Sequence, residues 1–351
     1  MASGAPATTA AEAGPAPKGP GGVGRLASLA GGRGGALIIL VVLMAGFTIA
    51  SPDFLTENNL LNILRQNSVP MIMAVGMTLV IVARGIDLSV AATAALSGSI
   101  MGVAFAQWGW SEPAALALGL AAGAAVGLFN GFVITRWDVP DFVATLGTLT
   151  AVRGIALLIT DGLPVPDFAS AVEGRTIPSS VGTLGGDTVF GRVPWIAVVA
   201  LICILIGAFV LGRTRLGRSA YAIGGNPDAA RMSGINVNRT KMLIYVFSGL
   251  LAAVAGYMLV GRQGSANALS AEGLELQVIA AVVIGGTNLF GGEGKVSGTV
   301  IGMLVIGVLS NGLSIVGVSE FWQRVVNGLI IIAVVALDQW RRRAARQSRL
   351  A

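Results

Sequence analysis

Residues 213–241, RTRLGRSAYAIGGNPDAARMSGINVNRTK, form a polar segment between two apolar stretches, WIAVVALICILIGAFVLG (195–212) and MLIYVFSGLLAAVAGYMLVG (242–261). The segment holds a single acid, Asp228, against six basic residues: Arg213, Arg215, Arg218, Arg231, Arg239 and Lys241. An excess of Lys and Arg in a short loop between membrane spans marks the cytoplasmic side. The pattern predicts a multi-pass membrane protein with this loop in the cytoplasm.

A short helix is predicted inside this loop. Asn226 is suited to cap its start, Pro227 fits the first turn, and Asp228 complements the positive end of the helix dipole. Gly234 is placed to end the helix. A capped helix outside the bilayer offers a surface to a soluble partner that drives the membrane protein. The residues predicted to form this coupling surface are Asn226, Pro227, Asp228, Ala229, Ala230, Arg231, Met232, Ser233 and Gly234.

The composition supports a membrane protein. The chain is 54% hydrophobic and 11% charged, with a mean hydropathy of +0.79, whereas soluble domains carry about 25% charged residues. The net charge of +6 follows membrane topology, because most of the basic residues lie in the two tails and the 213–241 loop; nucleic-acid binding is not predicted. The single cysteine, Cys203, lies in an apolar stretch and the chain has no histidine, so neither a disulfide framework nor a metal site is expected.

The predicted fold class is an all-α membrane protein of about ten transmembrane helices. Residues 1–34 read as a disordered cytoplasmic tail, 35–340 as the transmembrane domain and 341–351 as a basic cytoplasmic tail. An even number of spans places both termini on one side, and both tails are basic. The predicted spans are 35–52, 67–84, 89–107, 114–136, 142–160, 194–212, 241–261, 276–292, 296–316 and 319–338.

Two stretches suggest an inverted internal repeat. GLFNGFVITRWDVPDF (127–142) and GVLSNGLSIVGVSEF (307–321) both contain Asn-Gly near a helix end and then turn into another apolar span. On the predicted span count the two copies run in opposite directions across the membrane, and inverted repeats are common in transporters. The alternative is that Asn-Gly before an apolar turn is a common local sequence and indicates no repeat.

The positions of the charged residues indicate which energy source could drive transport. All 17 acids fall in predicted tails, loops or span ends, which argues against a proton-coupled carrier, since such carriers need a carboxylate or histidine inside the membrane. Sodium coupling through backbone carbonyls stays open. The glycine-rich stretch 285–298 lacks the spacing of a phosphate-binding loop, so the chain is not expected to hydrolyse nucleotide. Its glycines predict a broken helix, and most glycines of the chain are predicted to allow close packing of membrane helices. Arg153, the deepest charge, either ties neighbouring carbonyls together or belongs to the pathway.

Five strings give the chain a family resemblance: RGIDLSV (84–90), FVATLGTLTAVRG (142–154), GNPDAARMSGI (225–235), IAAVVIGGTNLFGGEG (279–294) and IGVLSNGLSIVGVSEFWQRVVNGLIIIAVVALD (306–338). They resemble the permease subunits of bacterial ABC importers for monosaccharides, the ribose, xylose and galactose group. The stretch 266–277 departs from the usual pattern, which leaves the identity of the solute open. The wider family also carries nucleosides, a furanone signal and branched-chain amino acids.

The resemblance implies a vitamin B12-importer-like (type II) architecture in the inner membrane. It implies a homodimer surrounded by lipid, a cytoplasmic ABC ATPase, with its two domains in tandem, and an extracytoplasmic sugar-binding protein. The chain itself would have no catalytic residues and bind no cofactor, and the partner would use ATP-Mg. Polar residues in or near spans are candidates for the substrate pathway, the alternative being interhelical hydrogen bonds: Asn130, Thr145, Thr148, Asn288, Asn311 and Asn327. An ion-coupled carrier and a non-transporting scaffold are the less favoured functions.

Overall fold

The computed structural model describes residues 33–167, 174, 176–330, 332, 333 and 336, and these form an almost entirely helical bundle. The predictions for residues 1–32 and 341–351 lie outside the described residues. The elements are α1 (Arg33–Ala50), α2 (Glu57–Val82), α3 (Val90–Ala106), α4 (Glu112–Arg136), α5 (Asp141–Ile159), α6 (Ser179–Gly186), β1 (Thr188–Val189), β2 (Val193–Pro194), α7 (Trp195–Arg213), α8 (Arg215–Gly225), α9 (Pro227–Met232), α10 (Val237–Gln263), α11 (Leu274–Ile284) and α12 (Val296–Ile315). A further helical segment covers 320–330.

Helices α2 and α10 form the centre of the bundle. Within the apolar part of each helix, 89% of residues are buried in α2 and 72% in α10, against 28% in α5 and in α7. Helix α4 packs closely on α10 because Gly123 and Gly127 leave room for the backbone at Gly249 and Tyr245. Small residues at helix contacts are the usual means of close packing in membranes, as the sequence predicted for most of the glycines.

The predicted spans coincide with helices, with one change at the eighth. Six helices are long and apolar enough to cross a membrane, namely α2, α4, α5, α7, α10 and α12, while α1, α3 and α11 are shorter. The eighth predicted span, 276–292, is wrong in its second half, because α11 ends at Ile284 and residues 285–295 are not helical. Only part of the tenth span falls within the described residues, so ten spans stays a prediction.

The bundle has two distinct ends. The "α9 end" carries the loop 83–89, helices α8 and α9, and the loop 285–295, where Gly292 N donates to Val82 O. The "hairpin end" carries β1 and β2. The turn after α4 lies at the α9 end, where Asp138 lines the same pocket as Pro227, and the end of α12 lies at the hairpin end, where Ile315 lines the same pocket as Thr188. Opposite ends are what an inverted repeat requires, and the relation of the complete halves stays a prediction.

Arg153 connects α5 to the segment before α11. Its Nη1 atom donates to the carbonyl oxygens of Ala268 at 2.8 Å and Ser270 at 3.0 Å. Of the two interpretations from the sequence, the structure shows the tie to neighbouring carbonyls.

Candidate functional site

The local structure of α9 follows its sequence. The Oδ1 atom of Asn226 accepts hydrogen bonds from the backbone N–H groups of Asp228 and Ala229, both at 3.0 Å. Pro227 is the first helical residue, where the missing N–H costs nothing. At the other end Gly234 has φ +80° and stops the helix. The prediction of a capped helix between Asn226 and Gly234 is confirmed.

The prediction that Ala230 faces a partner is wrong. Ala230 is 4% exposed and packs with Ile223 and Val237, so it attaches α9 to the body of the protein. The outward face is formed by Asp228, Ala229, Arg231, Met232 and Ser233. Met232 is 90% exposed, although contact between an apolar side chain and water is unfavourable. The exposed methionine marks this outward face as a candidate docking surface.

Helix α8 ties α9 to the centre of the bundle. The Tyr221 hydroxyl donates to the carbonyl oxygen of Gly294 at 2.6 Å. Gly224 lies so close to Val82 O and to the backbone at Gly292 that no Cβ would fit. The loop 285–295 therefore packs tightly between α8 and the end of α2. The sequence predicted that these glycines break a helix, and the structure shows what the break packs against.

Asp87 is buried in the loop 83–89 with 2% of its surface exposed. Its Oδ1 accepts from the backbone N–H and hydroxyl of Ser89, at 3.0 and 2.6 Å, and its Oδ2 accepts from the Ser248 hydroxyl at 2.9 Å. Burial raises the pKa of the Asp87 carboxyl above its ordinary value, against the lowering effect of these hydrogen bonds. Asp87 lies in a loop, as predicted, but this loop is inside the protein, and the sequence did not indicate that burial.

A second polar group joins the starts of α5 and α10. Lys241 Nζ lies 3.1 Å from both carboxylate oxygens of Asp141, and the Tyr245 hydroxyl donates to Asp141 Oδ2 at 2.8 Å. Thr145 Oγ1 donates to the carbonyl oxygen of Ile86 at 3.1 Å. Loop 83–89 is thus held by α5 and α10, beside the helix pair α8–α9. The sequence analysis missed these partners because they lie about 100 residues apart in the chain.

The six candidate pathway residues do not form one cluster, although two of them contact the same loop. Asn130 Nδ2 donates to Ser89 Oγ at 2.8 Å, so Asn130, like Thr145, braces loop 83–89. Asn311 exchanges hydrogen bonds with Asn59 at 2.8 and 3.0 Å, toward the hairpin end. These three contacts are interhelical or helix-to-loop hydrogen bonds, which is the alternative that the sequence left open.

The remaining three pathway candidates are placed separately. Asn288 lies in loop 285–295, where its Oδ1 accepts from the backbone N–H of Phe290 at 2.9 Å. Thr148 is 5% exposed within α5. Asn327 is half-buried in the segment 320–330. Their role in a pathway stays a prediction.

Six helices long and apolar enough to cross a membrane, with a capped helix presented at one end, are the features of a multi-pass membrane protein. The profile of the family described as "Branched-chain amino acid transport system / permease component" matches residues 59–335. The match covers most of the chain, which therefore belongs to this family of transport-system permeases.

The relatives are sugar permeases. The chain is 44% identical over 310 residues to the ribose import permease protein RbsC of Escherichia coli K12, covering 86% of this chain and 92% of that protein. It is 42% identical over 305 residues to RbsC of Bacillus subtilis 168, covering 86% and 90%. It is 35% identical over 355 residues to the xylose transport system permease protein XylH of Haemophilus influenzae Rd, covering 86% and 94%. No solved structure matches.

Proposed function

We propose that this chain is the membrane subunit of an ATP-driven importer that moves a monosaccharide across the inner membrane by alternating access. The observation that carries the proposal is α9, a capped helix whose back packs on the protein through Ala230 and whose outward face is exposed. An ABC ATPase docked on that face would push on α8 and, through loop 285–295, on the end of α2. That partner would bind and hydrolyse ATP-Mg, and this chain would undergo the conformational change that moves the sugar.

The charges support an orientation with the α9 end in the cytoplasm. Basic residues predominate at this end, and acids predominate in the loops at the hairpin end, as the positive-inside rule requires. In the proposed assembly the ATPase binds the α9 end and a sugar-binding protein approaches the hairpin end.

Helix α5 and the segment 320–330 support a homodimer of the type II architecture. Only 28% of the apolar part of α5 is buried, and Leu158 is 79% exposed. In the last segment Phe321 is 82% exposed and Trp322 65%. A second copy of the chain would cover part of these faces, with the substrate pathway between the two copies and lipid around them.

The functional test is uptake in proteoliposomes. The permease would be reconstituted with the ABC ATPase and the binding protein encoded beside it, and labelled ribose, xylose and a branched-chain amino acid would be offered in turn. Ribose is the first choice because the RbsC proteins of Escherichia coli K12 and Bacillus subtilis 168 are 44% and 42% identical to the chain, against 35% for the XylH relative. ATP-dependent uptake of a sugar is expected, and uptake of the amino acid alone would move the chain to another branch of its family.

Asp87 keeps an ion-coupled carrier as the second candidate, since a buried carboxylate is the usual proton site of such carriers. We expect Asp87→Asn to retain ATP-driven uptake, because Asn keeps the shape and the bonds to Ser89. Asp87→Ala should lower the free energy of unfolding by about 1–3 kcal/mol, because buried hydroxyls lose their acceptor. Uptake driven by a proton gradient without ATP, abolished by Asp87→Asn, would favour the carrier.

The proposed orientation predicts the labelling of introduced thiols. In intact cells an impermeant maleimide should react with Phe190→Cys, which is 98% exposed at the hairpin end, and should not react with Met232→Cys until the membrane is permeabilised. The native Cys203 is buried, so the unmodified chain is the blank. The opposite labelling pattern would reverse the orientation.

A further inference from the structure

An apolar cleft opens on the side of the bundle between α2, α7 and α12. Its volume is about 290 Å³, and its lining includes Leu64, Met71, Ala197, Ile204 and Leu304. The neighbouring face of α7 is apolar and exposed. Along α7 that face carries Leu201, Ile202, Leu205 and Phe209, each more than two-fifths exposed. The cleft therefore faces the region that lipid occupies in a membrane.

A polar pocket adjoins this cleft at the hairpin end. Its volume is about 570 Å³, and it is formed by the start of α2, the β1–β2 hairpin and the end of α12. Leu64 of the cleft is followed directly by Arg65 of the pocket, and Arg192 of the pocket by Val193 of the cleft. The two cavities thus meet on both α2 and the hairpin.

Two arginines line the pocket and have no acidic partner among the described residues. Within the part of the chain that the structure describes, no ion pair or side-chain hydrogen bond involves Arg65 or Arg192, and Arg65 Nε is buried without an acceptor. Burying an arginine N–H unpaired is costly. These arginines lie at the end of the bundle where acidic residues otherwise predominate in the loops. A guanidinium presents a planar fork of N–H donors that fits the oxygens of a phosphate group, and this pocket is lined by two of them.

We propose that the cleft and the pocket together form a phospholipid-binding site. The lipid phosphate binds Arg65 and Arg192, and an acyl chain lies in the cleft. The positions of the two cavities along α2 fit such a lipid. Arg65 lines the polar pocket and Met71 lines the apolar cleft, and the helix advances about 9 Å between these two residues. Asp53 also lines the pocket and gives a position for a lipid headgroup that carries an amine or hydroxyl groups. The bound lipid would fix the hairpin against α2.

The site is tested by native mass spectrometry of the purified full-length permease in nonionic detergent with added phosphatidylglycerol. We expect one strongly retained lipid per chain. The double variant Arg65→Gln, Arg192→Gln should weaken its retention roughly tenfold or more, because two charge-assisted hydrogen bonds are lost. Arg324→Gln is the matched control, since Arg324 is exposed and lies outside the pocket. It should retain the lipid.

A second pair of variants tests the cleft. Ala197→Phe places a ring in the cleft and should lower lipid retention, whereas Ala208→Phe on the exposed face of the same helix should not. Far-ultraviolet circular dichroism and a single gel-filtration peak identify variants that have stayed folded. Equal loss of lipid from both phenylalanine variants, or none from either, would overturn the assignment of the cleft.

Other occupants give different results. If the arginines bind free phosphate, excess inorganic phosphate would displace the lipid or would stabilise the chain without it. If they bind an acidic partner protein, the double glutamine variant would lose that partner with unchanged lipid retention. If a second copy of the chain fills the cleft, Ala197→Phe would change the oligomeric mass and not the lipid count. Each of these outcomes would overturn the phospholipid site.

Discussion

Ala229→Trp should abolish ATP-driven uptake while the permease stays folded in the membrane. Ala229 lies on the outward face of α9, so an indole there projects into the space that the ATPase would occupy. Overpacking at a close contact costs about 1–3 kcal/mol, which corresponds to roughly fivefold to 150-fold weaker association. The measurements are recovery of the ATPase with tagged permease and uptake in the reconstituted system.

Ala230→Trp, one residue further along, should act in a different way. Ala230 packs against Ile223 and Val237, so the indole would separate α9 from the body of the protein and lower the melting temperature of the permease alone. Ala114→Trp, an exposed alanine at the hairpin end, is the control and should change neither property. Normal ATPase recovery with Ala229→Trp would show that the partner binds another surface.

The contrast between these alanines shows what the sequence could predict about α9. Asn226, Pro227 and Gly234 act on their own backbone or on residues within a few positions, and such local effects can be predicted from sequence. The rotational orientation of a six-residue helix is different. It depends on which side of α9 packs against Ile223 and Val237. A helix of six residues is too short to show a repeated apolar pattern, so its sequence does not specify that side.

The same distinction applies to the rest of the molecule. The positions of the spans follow from runs of apolar residues, so within the described residues each predicted span contains a helix, and only the second half of the eighth span is not helical. The burial of Asp87 could not be predicted, because it depends on Ser248, 161 residues away. Its only local signal was Ser89 two residues later, a spacing that suits a turn in which the carboxylate accepts the backbone N–H.

The polar residues proposed for a pathway illustrate the remaining difficulty. A side-chain amide inside an apolar span indicates a hydrogen bond but not its partner. Asn130 and Asn311 satisfy that requirement with Ser89 and Asn59, within the chain itself. A pathway between two copies would be formed by faces that a single chain leaves uncovered, and the sequence of one chain does not specify how those faces meet.

Gly224→Ala should have the second large effect. Either less permease folds, or the folded permease carries out less ATP-driven uptake. A Cβ at this position would collide with the carbonyl oxygen of Val82 and the backbone nitrogen of Gly292. Both atoms belong to one hydrogen bond, Gly292 N to Val82 O at 2.9 Å, so the backbone cannot yield without opening that contact. We expect a destabilisation of about 1–3 kcal/mol or more, measured as a lower melting temperature and reduced uptake.

Gly225→Ala is the matched control for Gly224→Ala. The two glycines are adjacent in the last turn of α8, but a Cβ at Gly225 would meet nothing within 4 Å. Because alanine restricts the unfolded chain and favours helix, Gly225→Ala should be neutral or stabilise the permease by about 0.4–1 kcal/mol. Equal behaviour of the two variants would mean that α8 is not wedged against the end of α2. Movement of the ATPase would then have to reach the spans by another route, such as the contact of α9 with Val237 at the start of α10.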